Sequence, residues 1–294
     1  HKRILILGMG REGQSSLRFI LRHYEALGRP LLGIADARPV TLPDLGPQVR
    51  LHVYTGADYL NAMPQYDLVL KSPGISFKDY TETWLAPGIL KAFPHTEISG
   101  QIDLFLRFPP TARLVGVTGT KGKTTTSTII ADICRGSGWK TWLMGNIGVA
   151  VLDAYEQIAA GDIAVLELSC HQLQFVQASP PLALITNLYE EHLDHYRSYD
   201  EYCDSKLNIA RWQQPSQCFF LNEDDTDLKQ RCDGVLRGRV KRIREADGEA
   251  LRKLNPHLTG RHHAYDLAFA AAVCHELGIS TDNILAGIRS FPGI

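Results

Sequence analysis

Residues 115–125 read VGVTGTKGKTT, and this stretch decides the fold around it. An apolar strand runs into a loop in which Gly119 and Gly122 let backbone N–H groups turn towards an anion, and a helix begins directly after the loop. In such a loop Lys123 is placed to reach the β- and γ-phosphates of a nucleotide, and the Thr124 hydroxyl is placed to ligate Mg²⁺. The common spacing GxxxxGK(S/T) is not met, because the upstream glycine comes one position too early. The alternative is an ordinary glycine-rich strand–helix turn without a ligand.

Strands and helices alternate on both sides of this loop. We predict strands at residues 4–7, 31–35, 68–70, 114–117, 163–167, 182–186 and 218–221. Helical spacing of apolar residues predicts helices at 17–27, 124–135, 199–211 and 263–277. The charged segment 224–249 is interpreted as irregular surface turns and edge elements. This alternation predicts an α/β fold with mostly parallel sheets, which bind ligands at the carboxyl ends of their strands.

The length of 294 residues is enough for two domains, at about 100–200 residues each. The prolines at 109 and 110 cannot continue a helix and predict a linker. We therefore expect a Rossmann-like parallel-sheet domain at residues 1–108 and a P-loop ATPase-like α/β domain at residues 109–294.

Composition excludes several classes of function. The formal net charge of −1 provides no electrostatic footprint for nucleic acid or for an anionic membrane surface. No apolar run approaches the roughly 18–20 residues that a membrane span needs. The six cysteines are scattered without a CxxC pair, which disfavours a zinc site or a disulfide framework and favours free thiols in a reducing cytoplasm.

A second glycine-rich motif follows the first predicted strand. Residues 8–13 read GMGREG, and Asp36 ends the second strand. This is the fingerprint of a dinucleotide-type site, in which the glycines allow close approach of a pyrophosphate and the acidic residue binds a ribose hydroxyl. The motif does not distinguish NAD from another nucleoside diphosphate, and a tight turn without a ligand is a further alternative.

Three weaker features lie downstream of the phosphate loop. Glu167 ends a buried strand, where a Mg²⁺-anchoring carboxylate is expected, although acidic residues are common at strand ends. His192 and Asp194 follow another strand and could ligate a divalent ion or orient a phosphate, or they could simply be solvated. Lys206, taken alone, is interpreted as a surface lysine on a charged helix face.

In this order and spacing, the motifs resemble the Mur ligase superfamily over essentially the whole chain. Its marks are the loop GTKGKTTT at 119–126, Glu-Leu-Ser at 167–169, the Asn-x-x-x-x-His-Leu-Asp segment at 187–194, and Lys206. Residues 258–262 (LTGRH) resemble the segment that precedes an Ala-rich helix in the family. KSPG at 71–74, GNIG at 145–148 and ELSCHQL at 167–173 add to the match.

The resemblance implies an ATP- and Mg²⁺-dependent ligase of peptidoglycan precursor synthesis, and hence of cell-wall biogenesis, cell shape and cell division. It implies that the carboxylate of UDP-N-acetylmuramoyl-L-alanine becomes an acyl phosphate, which the amine of D-glutamate then displaces. We expect a monomeric cytoplasmic protein that acts on these small molecules and binds neither nucleic acid nor membranes.

The resemblance also implies roles for individual residues. The residues implied to bind the UDP-linked substrate are Arg11, Glu12, Asp36, Ala37, Arg38, Ser72, Pro73, Gly74, Asn146, Ser169, Gln172 and His192. Those implied to bind ATP are Gly119, Thr120, Lys121, Gly122, Lys123, Thr124, Thr125, His263 and Asp266, and the family's usual residue at the last two positions is Asn. Mg²⁺ is implied to bind Thr124, Glu167, His192 and, as a carbamate, Lys206. The implied catalytic residues are Lys123, His192 and Lys206.

Members of the family continue with a third domain that binds the amino acid. Residues 290–293 resemble the linker into that domain, so we expect this chain to be a two-domain piece with little or no ligase activity. The open alternatives are a ligase that adds L-alanine to UDP-N-acetylmuramate and a non-catalytic nucleotide-binding subunit. An NAD-dependent oxidoreductase would rest on the motif at 8–13 alone and would leave the phosphate loop unexplained.

Overall fold

The computed structural model describes residues 2–78, 84–86 and 88–294. Its strands are β1 (Arg3–Leu7), β2 (Leu31–Asp36), β3 (Leu51–Thr55), β4 (Leu68–Lys71), β5 (Trp84–Ala86), β6 (Ile89–Leu90), β7 (Glu97–Ser99), β8 (Leu114–Thr118), β9 (Thr141–Gly145), β10 (Ile163–Glu167), β11 (Leu182–Ile185), β12 (Cys218–Asn222) and β13 (Arg239–Ile243). Its α-helices are α1 (Arg11–Arg22), α2 (Gln101–Arg107), α3 (Lys123–Gly136), α4 (Val151–Ala154), α5 (Cys170–Leu173), α6 (Tyr199–Arg211), α7 (Thr226–Cys232), α8 (Glu245–Arg252), α9 (His263–Glu276) and α10 (Thr281–Ser290). Short 3₁₀ helices span Tyr59–Gln65 and Tyr155–Gln157.

The first sheet has the strand order β3-β2-β1-β4-β7-β6-β5 within the described residues. Strands β1 to β4 and β7 pair in parallel, whereas β5, β6 and β7 pair antiparallel. The central strand β1 is buried on both faces, which explains its continuous apolar sequence. The chain crosses from one side of β1 to the other, and the crevice that this leaves at the strand ends is where such sheets bind ligands.

The second sheet is parallel throughout and has the order β13-β12-β11-β8-β10-β9. Side chains alternate across it, because successive residues of a strand point to opposite faces. Val115 and Val117 pack with the apolar side of α3 and α9, while Leu114 belongs to the core that includes Leu207 and Ile209 of α6. The strand that leads into the phosphate loop is therefore covered on both faces.

The fold class is confirmed, since both sheets are mostly parallel and alternate with helices. The predicted helix at 17–27 is wrong in its limits, because α1 starts at Arg11 directly after the turn at Gly10. Segment 224–249, interpreted as irregular surface turns and edge elements, does contain the edge strand β13, but it also holds α7 and the start of α8. Helix α7 is short and charged and begins at an Asp225 cap, so apolar periodicity could not reveal it. Helix α10, which follows α9, was not predicted.

The proline pair at 109–110 lies between the end of α2 and the start of β8, and the domain boundary there remains a prediction. In the part of the chain that the structure describes, no helix combines the length and apolar character that a membrane crossing requires. All six cysteines are free and buried.

Candidate functional site

The phosphate loop between β8 and α3 requires glycine at two positions. Gly119 has φ of +148° and Gly122 has φ of +84°. A Cβ at Gly119 would lie 1.9 Å from the Thr186 Oγ1, and one at Gly122 would lie 2.6 Å from the Asp266 Oδ1. Only glycine fits both the backbone conformation and the space, so the loop can hold its N–H groups close to a ligand.

Neighbouring side chains hold this loop in place. The backbone N–H of Lys121 donates to the Asn187 Oδ1 at 2.9 Å, and the Thr186 hydroxyl donates to the Lys121 carbonyl at 2.6 Å. The hydroxyls of Thr120 and Tyr202 are 2.8 Å apart. No role was predicted for Asn187, although it begins the Asn-x-x-x-x-His-Leu-Asp segment. Its amide fixes the loop, which explains why an asparagine suits that position.

Two lysine ammonium groups meet at the first glycine of the loop. The Lys123 Nζ donates to the carbonyl oxygens of Gly119 at 3.0 Å and Thr120 at 2.9 Å. The Lys206 Nζ donates to the same Gly119 oxygen at 2.8 Å. Thr124 and Thr125 follow in the first turn of α3. A cationic group at a helix N-terminus with a glycine-rich loop suits a phosphate.

The interpretation of Lys206 as a surface lysine is wrong. Its side chain is 2 % exposed, because α6 packs against β11 and β8, and Lys206 lies on the same helix face as Tyr202 and Ile209. The Lys206 Nζ lies 4.8 Å from the centre of the Tyr202 ring. Burial lowers the pKa of Lys206 to about 8, and the nearby charge of Lys123 acts in the same direction.

Glu167 lies beside the strand that enters the phosphate loop. Strand β10 pairs with β8 so that Glu167 is opposite Val117, and the side chain is 1 % exposed. The Asn146 amide donates to the Glu167 Oε1 at 2.8 Å. The Oε2 atom is buried and has no hydrogen-bond partner among the described residues.

A buried carboxylate oxygen without a partner is costly, and a cation would satisfy it. Among the described residues, no group of three or more His, Cys, Asp or Glu side chains is arranged to hold a metal ion. Mg²⁺ commonly binds one or two carboxylates together with phosphate oxygens and water. Glu167 therefore fits a cation whose other ligands are phosphate oxygens and water.

A pocket of about 430 Å³ opens at the carboxyl ends of β1, β2 and β4. It is lined by Gly8, Gly10, Arg11, Glu12, Asp36, Ala37, Arg38, Tyr59, Ser72, Pro73, Gly74, Ile75, Asn146 and Gln172. The structure thus brings together most of the residues that the resemblance implied for the UDP-linked substrate. Ser169 and His192 do not line this pocket, and neither Tyr59 nor Ile75 was predicted.

Several polar groups of this pocket make hydrogen bonds that stabilise the backbone around it. The Asp36 carboxylate accepts from the backbone N–H groups of Met9 at 2.8 Å and Arg38 at 2.9 Å. The Ser72 hydroxyl donates to the Gly8 carbonyl at 2.7 Å. Asp36 thus shapes the glycine turn, and each of its oxygens keeps further acceptor capacity.

Ser169 acts on the pocket through Gln172. It caps α5, where its Oγ accepts from the Gln172 N–H at 3.2 Å and its own N–H donates to the Gln172 Oε1 at 3.0 Å. The Gln172 Nε2 then donates to the Glu12 Oε1 at 2.6 Å. Burial raises the pKa of Glu12, and this hydrogen bond opposes the shift.

His192 lies at the edge of a cluster of imidazole rings. It has a left-handed backbone with φ of +59°, and its side chain is 41 % exposed. Its ring centre lies 4.8 Å from that of His171, which in turn lies 4.1 Å from that of His195. Burial lowers the pKa of His171 to about 3 and that of His195 to about 4, so both rings are neutral at pH 7. No sequence pattern linked His171 to His195, because they follow different strands.

A second pocket, of about 650 Å³, borders the phosphate loop at Lys121 and Gly122. It is lined by Lys121, Gly122, Thr186, Asn187, Tyr189, Asn222, Asp224, Asp225, Thr226, His262, Tyr265 and Asp266. Asp266 accepts from the Thr126 hydroxyl at 2.9 Å and lies 3.0 Å from the His263 Nδ1. Burial raises the pKa of Asp266. The three ring side chains of this lining, Tyr189, His262 and Tyr265, were not predicted, because Tyr189 lies far along the chain from the other two.

Comparison with known proteins gives a consistent result. Residues 117–241 match the family model described as the Mur ligase middle domain. The UDP-N-acetylmuramoylalanine–D-glutamate ligase of Desulfitobacterium hafniense is 30 % identical over all of this chain and 67 % of its own length. The enzyme of the same name from Clostridium kluyveri is 30 % identical over 82 % of this chain and 51 % of its own length. The chain thus spans about half to two thirds of the length of these relatives.

Solved structures share the fold at lower identity. The UDP-N-acetylmuramate:L-alanyl-gamma-D-glutamyl-meso-diaminopimelate ligase from Neisseria meningitides superimposes with a TM-score of 0.59 at 17 % identity, covering 100 % of this chain and 99 % of that one. MurF from Acinetobacter baumannii superimposes with a TM-score of 0.54 at 16 % identity, covering 99 % of this chain and 60 % of that one. At these identities the likeness concerns the fold alone.

Proposed function

The chain belongs to the Mur ligase family, and from this premise we propose that it is an ATP-dependent ligase that joins D-glutamate to UDP-N-acetylmuramoyl-L-alanine. The observation that carries the proposal is the position of Asn146. This residue lines the 430 Å³ pocket, and its amide also holds Glu167 beside the strand that enters the phosphate loop. A substrate in the pocket and a nucleotide on the loop would therefore meet at Asn146.

The 430 Å³ pocket suits the UDP part of the substrate. It lies at the switch point of a Rossmann-like sheet, where nucleoside diphosphates bind. Arg11 and Arg38 supply positive charge, and the turns at Gly8 and Gly74 allow close approach of a diphosphate to the backbone. In this proposal the muramoyl-L-alanine end extends past Asn146 towards the phosphate loop.

The 650 Å³ pocket suits the nucleoside part of ATP. The rings of Tyr189, His262 and Tyr265 offer faces for a purine, and the pocket reaches the phosphate loop at Gly122. From there the phosphates would follow the loop to Lys123. Mg²⁺ bound by Glu167 and Thr124 would offset the charge of the phosphates and polarise the one that is transferred.

The proposed reaction has two steps. An oxygen of the substrate carboxylate attacks the γ-phosphorus, the bond to the β–γ bridging oxygen breaks, and ADP leaves. The amine of D-glutamate then attacks the acyl carbon, inorganic phosphate leaves, and the amine loses a proton to solvent or to a nearby base. Lys123 and the loop N–H groups would stabilise the charge on the transferred phosphate.

The proposal gives His192 and Lys206 roles in the same region. The exposed imidazole of His192 would contact the reacting end of the substrate or a second cation. Lys206 would serve as a carbamate, which turns a cation beside Lys123 into an anion able to bind Mg²⁺. We further propose that the protein acts as a monomer in the cytoplasm, where ATP and UDP-linked precursors are available.

Phosphate release from ATP by the native gene product tests this function. We expect release only when UDP-N-acetylmuramoyl-L-alanine and D-glutamate are both present, within a panel that includes L-alanine paired with UDP-N-acetylmuramate. Release with the latter pair would assign the L-alanine-adding reaction instead. Nucleotide binding without release under any pairing would assign a non-catalytic subunit. Unchanged activity in a Lys123→Ala variant would overturn the role of the phosphate loop.

A further inference from the structure

Arg11, the first residue of α1, reaches across to the turn that follows β9. Its Nη2 donates to the carbonyl oxygens of Gly145 at 2.6 Å and Asn146 at 3.2 Å, and its Nη1 donates to that of Gly148 at 3.2 Å. A guanidinium presents its donors in a fixed planar fork, so three carbonyls held by one side chain restrain the shape of the turn.

The turn that Arg11 holds is the one that positions Asn146. Gly145 and Gly148 both have positive φ, at +102° and +67°, and glycine has no side chain to anchor the backbone there. Asn146 itself donates twice to Glu167, from its N–H to the carbonyl at 2.8 Å and from its amide to the Oε1 at 2.8 Å. Arg11 is thus hydrogen-bonded to Asn146, and the amide of Asn146 orients the buried carboxylate of Glu167.

The next residue of α1, Glu12, contacts the helix that follows Glu167 in the chain. The Glu12 Oε1 accepts from the Gln172 amide, and Gln172 is locked to Ser169 by the α5 cap. Two consecutive residues of α1 therefore contact the turn that pairs with Glu167 and the helix that follows Glu167 in the chain. Arg11 and Glu12 both line the 430 Å³ pocket. A ligand in this pocket therefore contacts the residues that hold the segments next to Glu167.

We propose that Arg11 is a positioning residue that couples the 430 Å³ pocket to the cation-binding carboxylate of Glu167. Arg11 acts mainly by holding the turn at Gly145–Gly148, and its direct contact with the substrate contributes less. A ligand that orders this turn also orders Asn146 and Glu167, so binding at either site strengthens binding at the other by the same factor. This inference rests on the proposed function for the identity of the two ligands.

The coupling is measured by calorimetry on this chain. The probes are UDP-N-acetylmuramoyl-L-alanine and the β,γ-imido analogue of ATP with Mg²⁺, each titrated alone and in the presence of the other. For the natural sequence we expect each ligand to lower the Kd of the other by about fivefold or more, within the usual range of coupling between sites. Arg11→Met removes a positive charge from the pocket, so we expect the UDP-linked substrate alone to bind more weakly. The imido analogue alone should bind as before, and the coupling should fall below about twofold. Arg11→Lys, which keeps one charged donor, restores part of it.

Arg18→Met is the matched control. Arg18 lies on the same helix and also bridges the two halves of the chain, through an ion pair with Asp153 at 2.7 Å, but its hydrogen bonds do not go to the turn after β9. We expect Arg18→Met to retain the coupling. Equal loss in the Arg18 and Arg11 variants, or no coupling in the natural sequence despite binding of both ligands, would overturn the role of Arg11 and leave the proposed function standing. Failure of the natural sequence to bind either ligand would overturn both.

Discussion

The Nζ of Lys206 donates a 2.8 Å hydrogen bond to the carbonyl oxygen of Gly119, and this contact ties a buried lysine of α6 to the phosphate loop. The Lys123 Nζ donates to the same oxygen at 3.0 Å. Two ammonium groups at one carbonyl repel each other, and burial adds a penalty for the charged form of Lys206. Both effects favour a neutral amine at this position, which is the form that reacts with CO₂.

We predict that Lys206 is carbamylated and that the modified fraction rises with pH. Because burial lowers its pKa to about 8, the neutral amine becomes the main form as the pH passes 8. With ¹³C-labelled bicarbonate, and with dissolved CO₂ held constant, the carbamate NMR signal should grow as the pH rises through that pKa. Lys206→Arg should lack it. An equal signal in that variant would place the modification elsewhere.

Replacing Glu167 by glutamine should weaken the effect of Mg²⁺ on nucleotide binding. The glutamine side chain would keep the shape and an oxygen that accepts from Asn146, but it would remove the charge from the buried, unpartnered oxygen. We expect the Kd of the Mg²⁺ complex of the imido ATP analogue to rise about tenfold or more, equivalent to about 1.4 kcal/mol. Binding without Mg²⁺ should change little.

Glu156→Gln is the control for the metal experiment, because Glu156 pairs with Arg22 at the surface. Its variant should bind the Mg²⁺ complex as the natural sequence does. If Mg²⁺ strengthens nucleotide binding to the Glu167 variant as much as to the natural sequence, another group binds the cation.

Gly122→Ala should destabilise the protein and impair nucleotide binding. The residue has φ of +84°, and its new Cβ would meet the Asp266 Oδ1 at 2.6 Å. The left-handed conformation alone costs an L-residue about 1–2 kcal/mol. Gly136→Ala, at the other end of α3, meets nothing within 4 Å and should be neutral or slightly stabilising. Urea unfolding of both variants measures the difference, and equal midpoints would contradict the strain at Gly122.

Lys71→Met should remove part of the pH dependence of stability. The Lys71 ammonium is buried between the rings of Phe77 and Phe175, and burial lowers its pKa to about 7 from the ordinary 10.5. Between these two values the unfolded chain binds more protons than the folded one, so the free energy of unfolding rises with pH. One such proton contributes at most about 1.4 kcal/mol per pH unit.

Denaturant unfolding at a series of pH values between those two pKa values tests this prediction. The stability of the natural sequence should rise more steeply with pH than that of Lys71→Met, which has no charge to bury. Lys206 contributes a rise of the same sign to both proteins and cancels in the comparison. Parallel curves would mean that Lys71 is protonated to the same degree in the folded and unfolded states.

The sequence by itself determined the α/β class, most of the strands and the phosphate loop. These features depend on short-range physics: apolar runs that must be buried, glycines that allow positive φ, and a helix start directly after them. The same reasoning placed Glu167 at a strand end. Resemblance to a family, rather than local physics, predicted most of the residues of the 430 Å³ pocket. Short charged helices such as α7 were not predicted, because a capping residue rather than apolar spacing marks them.

Only the tertiary structure decided which side chains are buried and which distant groups meet. Helical periodicity assigns Lys206 to a face, but the packing of α6 on β8 and β11 decides that this face is covered. The contacts of Arg11 with the turn after β9, and of Asn146 with Glu167, join elements that are adjacent only because of sheet order and register. Such contacts leave no pattern in the local sequence, because each residue interacts with a partner that is far away along the chain.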